Sequence, residues 1–454
     1  MRWIANLLLL GNLLVVPVAA QAPVSAPPST RLSLAAAVEA ALAHYPAVAV
    51  ARSAESVAAA EARQARAARL PTARLLANAT EYEQPALAQP IHGLTPGAIP
   101  PFSRSLLQTG VNVNYLLLDG GGRAARIRAA GSEEQAATAG LADAESTLRA
   151  EVVASYLAVL GRARILAAHD RRLAALEQER GRVQQLLAAG QAAEVDRLRA
   201  EAALAAAQAE RVRFATALDS AERDLGRWIG ADVEATRAAR LEDVRLAEGE
   251  TPDRAALVAA GLAASPTVER ARQALAAAEA GCAVARSVRR PELRGTAGLT
   301  NFAADGASAA TEWSAGLALA VPLFDGGLSR AGVARAEAAR DRARSELELA
   351  ELAVGAAVDR TSAALAEAQA RVLSLRSAAA RYAEVARVEH LLLENGAGTQ
   401  IDYLAAEADL LGARASLADA EYSEVLGRVE LERSIGGLDS AWLERHLRPV
   451  ENPR

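Results

Sequence analysis

The chain of 454 residues has no lysine; all 50 of its basic residues are arginine. It has a single cysteine, Cys282, a single methionine and only 3% aromatic residues. One cysteine excludes an intramolecular disulfide and a cysteine metal cluster. So few aromatics argue against a large aromatic-rich core. The five histidines, His44, His92, His169, His390 and His446, show no paired ligand spacing. No nucleophile elbow and no metalloprotease helix is present, so neither an enzyme nor a cofactor is expected. The formal net charge is −5 with both signs interspersed, which excludes the basic patch of a nucleic-acid binder. Beyond residue 20 no uninterrupted apolar run is long enough for a transmembrane helix, so a membrane crossing would have to use strands.

The first 20 residues are expected to be an export signal. Arg2 precedes an apolar run from Ile4 to Val16, and Val18-Ala19-Ala20 supplies small residues for cleavage. The alternative is an uncleaved anchor. No cysteine follows the run, so the protein is not expected to be lipid-anchored. Residues 21–30 form a Pro/Ser-rich lead-in without periodicity.

Alanine makes up about a quarter of the chain, which favours long helices packed closely through small side chains. The chain is also duplicated. Leu118-Asp119-Gly120-Gly121 returns as Phe324-Asp325-Gly326-Gly327, 206 positions later. Val195-Asp196 returns as Ile401-Asp402 and Ile229-Gly230 as Ile435-Gly436, at the same 206. Upstream, Pro46 and Pro71 match Pro266 and Pro291 at an offset of 220. The 14 extra residues fall in the Pro/Gly-rich stretch Gln84 to Ser103, read as an enlarged loop. Two structural repeats, 31–250 and 251–436, are expected, followed by a tail, 437–454, with no readable role.

Each repeat reads as a helix, two strands and two long helices. In the first, a helix from Leu34 to Leu70 ends at Pro71. Leu107, Thr109, Val111, Val113, Tyr115 and Leu117 then alternate with Gln108, Gly110, Asn112 and Asn114. A weaker alternation covers Ala73 to Thr80, and the second repeat matches both with Leu293–Thr300 and Trp313–Leu323. A half-buried soluble sheet has the same pattern. The polar set Arg74, Asn78, Gln108, Asn112, Asn114 and Arg294 instead suits a wet lumen. Four strands cannot close a barrel and open edges cannot face lipid, so several copies must share strands: two give eight, three give twelve. From Arg123 to about Ala188 a helical run would make a rod of about 100 Å. The return helices carry seams, Val195, Leu198, Ala202, Ala205, Ala209 and Val212 in one repeat and Ile401, Leu404, Ala408, Leu411, Ala415, Ala418, Tyr422, Val425 and Val429 in the other, which predict antiparallel coiled-coil hairpins.

The Pro-bounded helices, the two Asp-Gly-Gly turns and the two Gly-then-Val/Ile-Asp turns, in this order and twice over, resemble the TolC family of outer-membrane efflux and secretion channels. The resemblance spans about Arg31 to Gly436. It implies a mainly α fold with transmembrane β: a homotrimer whose 12-stranded outer-membrane β-barrel, four strands per chain, continues into a long α-helical coiled-coil periplasmic barrel. It also implies an export duct in outer-membrane lipid, partnered by a periplasmic adaptor (membrane fusion) protein and an inner-membrane RND or ABC pump, in tripartite efflux or type I secretion. Gly190, Gly396, Gly398 and Thr399 would then meet the adaptor at the helical tips. Asp402, with Asp196 and Gln400, would form the pore constriction, since carboxylates ringed about an axis attract cations. Here Ala405 stands at the second acidic position and Gly398 replaces the arginine expected before Asp402, which puts the usual latching salt bridge in doubt. The glycines also serve as plain helix terminators, and the two aspartates suit a helix N-terminal turn. A coiled-coil adaptor, or a structural protein without a pore, is the alternative reading.

Overall fold

The computed structural model describes residues 31–90, 100–247, 252–305 and 307–449. The expected signal peptide and lead-in lie outside the described residues, as do 91–99 of the enlarged loop.

The single opening helix expected in each repeat is two helices. In the first, α1 (Leu34–His44) is capped by the Ser33 hydroxyl, and α2 (Pro46–Ala67) starts afresh at a bend of 53°. Proline lacks the N–H that would continue α1, and its fixed φ suits the first position of a new helix. Strands β1 (Thr72–Leu87) and β2 (Phe102–Leu118) follow. The loop is therefore shorter than its composition suggests, because β1 runs on past an irregularity between Glu81 and Ala86. Next come α3 (Gly122–Ala188), α4 (Glu194–Ile229), the short α5 (Val233–Ala238) and β3 (Val244–Leu246). The second repeat contains α6 (Arg254–Ala264), α7 (Pro266–Ser287), β4 (Glu292–Ala304), β5 (Ala307–Ala320), α8 (Leu328–Glu394) and α9 (Gln400–Ser434). The chain closes with α10 (Ser440–His446) and β6 (Leu447–Pro449).

Both Asp-Gly-Gly segments are tight turns from strand to helix. Gly120, Gly121, Gly326 and Gly327 all have positive φ, between 62° and 93°, where a side chain would be strained. The Asp325 carboxylate accepts the backbone N–H of Gly327 at 3.0 Å and of Ser329 at 2.9 Å, and Asp119 does the same for Gly121 and Arg123. These bonds satisfy the first free N–H groups of α3 and α8.

Strands β1, β2, β4 and β5 make one antiparallel sheet in the order β1-β2-β4-β5. Directly opposed residues share a face, so the alternation runs unbroken across all four strands. Leu75, Val111, Leu299 and Trp313 form one row, with fractional exposures of 78, 45, 52 and 75%. On the other face Arg74, Asn112, Gly298 and Ser314 align, and beside them Thr72, Asn114, Thr296 and Gly316. An apolar face this exposed is not the inner face of a soluble sheet.

Helices α3 and α8 each run 67 residues, α3 through the glycines at 131, 140 and 161. Gly161 has a packing reason: a Cβ there would meet the Tyr422 ring at 3.2 Å. The return helices are about half as long. The lower half of each repeat is thus a two-helix hairpin (α3 with α4, α8 with α9), and α2 and α7 pack beside the upper halves. The most apolar window of α3 matches a membrane span in length and composition. Its Val152, Val153, Tyr156 and Leu157 are instead buried in the main core, with Leu34, Val38, Leu225, Val425, Val429, Trp442 and Leu443.

The expected seam of α4 is rotated. Val195 and Leu198 are about half exposed, and Ala200, Leu204 and Ala207 are buried in their place. In α9, Leu411, Tyr422, Val425 and Val429 are buried as the heptad predicts, but Ile401 is exposed and Tyr403, Ala406 and Leu410 take over distally. The stripe that regular spacing marks on α4, Val195, Leu198 and Val212, is thus left exposed in this chain.

The tail is part of the waist. Leu438, Trp442, Leu443 and Leu447 are buried in the main core, and β6 pairs with β3. Tyr156, fully buried in α3, directs its hydroxyl at the carbonyls of Leu32 (2.7 Å) and Glu242 (2.8 Å), tying both ends of the first repeat to the same helix.

Candidate functional site

The two distal turns follow one geometry. After α3, Gln191 N–H donates to the Leu186 carbonyl at 2.8 Å and Gly190 has φ +73°. After α8, Ala397 N–H donates to Leu392 at 2.9 Å and Gly396 has φ +72°. Each pattern is the six-to-one bond of a helix C-terminus that needs a left-handed residue. No atom lies within 4 Å of a Cβ built on Gly190 or Gly396, so only backbone conformation demands glycine there. Gly398 is held for another reason: a Cβ would meet the Leu392 Cβ at 2.9 Å. Gly190, Gly396 and Thr399 are exposed and Gly398 half-buried, so the turns form an outward-facing pair of tips.

The two aspartates occupy equivalent places, the third residue of α4 and of α9. Asp402 is exposed; its N–H donates to the Thr399 hydroxyl at 3.2 Å, and that hydroxyl donates to the Asp402 carboxylate at 2.6 Å. Asp196 accepts the Ala193 N–H at 3.3 Å and faces Arg199 of its own helix at 3.6 Å. Each carboxylate is therefore held within its own first helical turn, where the helix dipole favours negative charge. No ion pair links Asp196 to Asp402's hairpin among the described residues. Gln400 is placed differently from the aspartates. It is 9% exposed, and neither its Oε1 nor its Nε2 has a hydrogen-bond partner.

Sequence reasoning missed the residues packed behind the distal turns. Glu179, 6% exposed, is gripped by the guanidinium of Arg182 through bonds of 2.8 and 2.9 Å. Tyr403, next to Asp402, is buried and stacks on His390 at 5.4 Å between centroids. Burial pushes its phenol above the usual range, with Glu407 and Glu179 adding to the effect. Leu404 packs against the Leu173, Leu176, Leu204 and Ala207 cluster, which fastens the second hairpin to the first. The i,i+3 spacing of Glu179 and Arg182 was visible in the sequence, but burial was not.

The model of the family described as "outer membrane efflux protein" matches residues 37–231 and 257–437, one segment in each repeat. No curated protein matches the chain. Among solved structures, the outer membrane protein VceC of Vibrio cholerae superposes with a TM-score of 0.72 at 20% identity, covering 89% of this chain and 96% of its own. The Campylobacter jejuni CmeC outer membrane channel gives 0.75 at 16% identity, over 91% and 88%. The open state of the Neisseria gonorrhoeae MtrE outer membrane channel gives 0.71 at 20%, over 89% of each chain.

Proposed function

The chain belongs to the outer membrane efflux protein family, and from that premise we propose that three copies form an export duct. The observation that carries the reading is the exposed four-stranded sheet, apolar on one face and polar on the other, with the outer edges of β1 and β5 unpaired among the described residues. Three copies supply twelve strands, enclose water and leave no edge in lipid. The apolar row from Leu75 to Trp313 then faces hydrocarbon, and the row from Arg74 to Ser314 faces the lumen. The flanking helices support the same assembly: α2 exposes Val50 and Val57 on one side, and α8 exposes Leu349, Leu352 and Leu373 on the other.

In this reading the barrel sits in the outer membrane, and repeats 31–250 and 251–436 carry the helical tunnel into the periplasm. The tips at Gly190 and at Gly396, Gly398 and Thr399 meet a periplasmic adaptor bound to an inner-membrane RND or ABC pump. Solutes pass unchanged, whether drugs in tripartite efflux or polypeptide in type I secretion. Asp402 and Asp196 ring the periplasmic aperture. Gln400, being buried, acts behind that ring and does not line it. In this reading closure rests on the packing of Leu404 and Tyr403, and the mutual repulsion of the carboxylates opposes it.

Planar-bilayer recording of the purified trimer tests this. Asp402→Ala is expected to raise conductance or weaken cation selectivity, since three like charges near one axis favour cations. Current and selectivity identical to those of the unmodified protein would remove Asp402 from the aperture. A protein that stays monomeric and dissolves without detergent would end the duct altogether.

A further inference from the structure

The duplication fixes how one protomer's sheet joins the next, and we infer the residue-level register of that joint. The inference rests on the trimeric duct proposed above; the lumen is incomplete without the strands of the neighbouring copy.

The two hairpins of the sheet obey one register. The pair Thr72–Asn114 of β1 and β2 maps, through the offsets of 220 and 206, onto the pair Glu292–Ala320 of β4 and β5, and Asn78–Gln108 maps onto Gly298–Ser314. All four partners are directly opposed in the structure. The remaining joint inside the chain, β2 with β4, has one counterpart: β5 with β1 of the next copy. Applying the same offsets to Asn112–Gly298 gives Ala318 opposite the neighbour's Asn78. Val111–Leu299 likewise gives Leu317 opposite Ala79, and Gly110–Thr300 gives Gly316 opposite Thr80.

Two independent features agree with this register. The first is chemistry: Leu317 and Leu319 meet Ala79 and Ala77 on the lipid face, and Ala318 and Gly316 meet Asn78 and Thr80 on the lumen face. A slip of one residue would turn Asn78 and Thr80 into the lipid. The second is strand length. Opposed residues run from Thr72 to Asn114, Thr296 and Gly316, then to Thr80 of the neighbour, an advance of eight positions per protomer. Three protomers climb about 24 residues, roughly 80 Å, while crossing twelve strand spacings, roughly 57 Å, so strands tilt by about 54°, steeper than the roughly 35–45° usual for barrels. Strand β5, with 14 residues, is then about 46 Å long and rises about 27 Å, close to the thickness of a hydrocarbon core. An advance of only four residues would tilt the strands about 35° and leave β5 rising about 38 Å, too tall for that core.

Disulfide trapping tests the register in full-length trimer carrying Cys282→Ser. Directly opposed strand residues lie about 4.5–5.5 Å apart between Cα atoms, within reach of a disulfide. Mild oxidation of the Asn78→Cys, Ala318→Cys variant is expected to give trimers that survive boiling without reductant. The Arg74→Cys, Ala318→Cys variant, displaced by four positions, is expected to fall to monomer. A trimer intact by native mass whose 78/318 pair does not link, or whose 74/318 pair links in its place, overturns the register but leaves the duct standing. A chain that never assembles as a trimer before oxidation would refute both.

Discussion

Tyr156 and Tyr422 are buried tyrosines of one core whose hydroxyls should respond oppositely to removal. The Tyr156 hydroxyl lies 2.7 Å from the Leu32 carbonyl and 2.8 Å from that of Glu242. Leu32 O also accepts the Glu242 N–H at 3.2 Å, so it keeps one partner when the hydroxyl goes. The Glu242 carbonyl is left without that donor. Tyr156→Phe preserves ring and shape, so no cavity term enters; the loss is one buried hydrogen bond and one stranded acceptor, about 1–3 kcal/mol. That corresponds to a rise of roughly 5- to 150-fold in local opening. The Tyr422 hydroxyl is buried with no hydrogen-bond partner, while its ring contacts Arg164 at 5.2 Å. Tyr422→Phe keeps the ring contact and removes an unsatisfied group, so it should be neutral or stabilising. Hydrogen exchange at the Leu32, Glu242 and Val244 amides reads both variants on the intact trimer. Unchanged protection in Tyr156→Phe, or a loss in Tyr422→Phe as large as that expected for Tyr156→Phe, would refute the reasoning.

Two further outcomes are expected. His169, buried in α3, stacks on Phe214 at 4.2 Å, with its Nδ1 4.0 Å from Glu210. Burial holds its imidazole below the ordinary value of 6.5; Glu210 and Asp170 oppose the shift, and Arg172 and Arg213 reinforce it. An opened hairpin takes up the proton more readily than the closed seam. The stability contributed by the neutral ring is therefore complete above about pH 6.5 and drains away as pH falls toward the depressed value. Relative to the intrinsic base-catalysed rate, protection across α3 and α4 should fall as pH drops from 7.5 to 5.5, and His169→Gln should flatten that dependence; a slope unaltered by the substitution would count against it. Deleting residues 438–454 removes the buried Leu438, Trp442, Leu443 and Leu447, about 1.5–3 kcal/mol each. The truncated chain should melt well below the full one or fail to assemble; a melting temperature within two or three degrees would show the tail to be dispensable.

The strands were legible because a pleat repeats every two residues: the alternation from Leu107 to Leu117 is the same alternation that Val111 and Asn112 present on opposite faces. The distal turns were legible because Gly190 and Gly396 answer a local backbone need. What stayed hidden depends on distant partners. Tyr156 acquires its role from carbonyls 124 and 86 positions away. The tail reads as featureless until β3 gives β6 a strand to pair with. The seam of α4 was placed on the wrong flank because periodicity identifies an apolar stripe but not which neighbour covers it. The aspartates carry an ambiguity of the same kind: the residue type that caps a helix also charges an opening, and both Asp196 and Asp402 make first-turn contacts of the capping kind.

The uninterrupted course of α3 below the waist has a mechanical consequence. From Tyr156, clamped in the core, to its last residue Ala188 the helix is a lever arm of about 48 Å. With that fulcrum fixed, a swing of about 5° displaces the far end by about 4 Å, more than the width of a water molecule. Repacking of a single side chain beside Tyr156 can thus be geared up into a displacement of the whole distal turn.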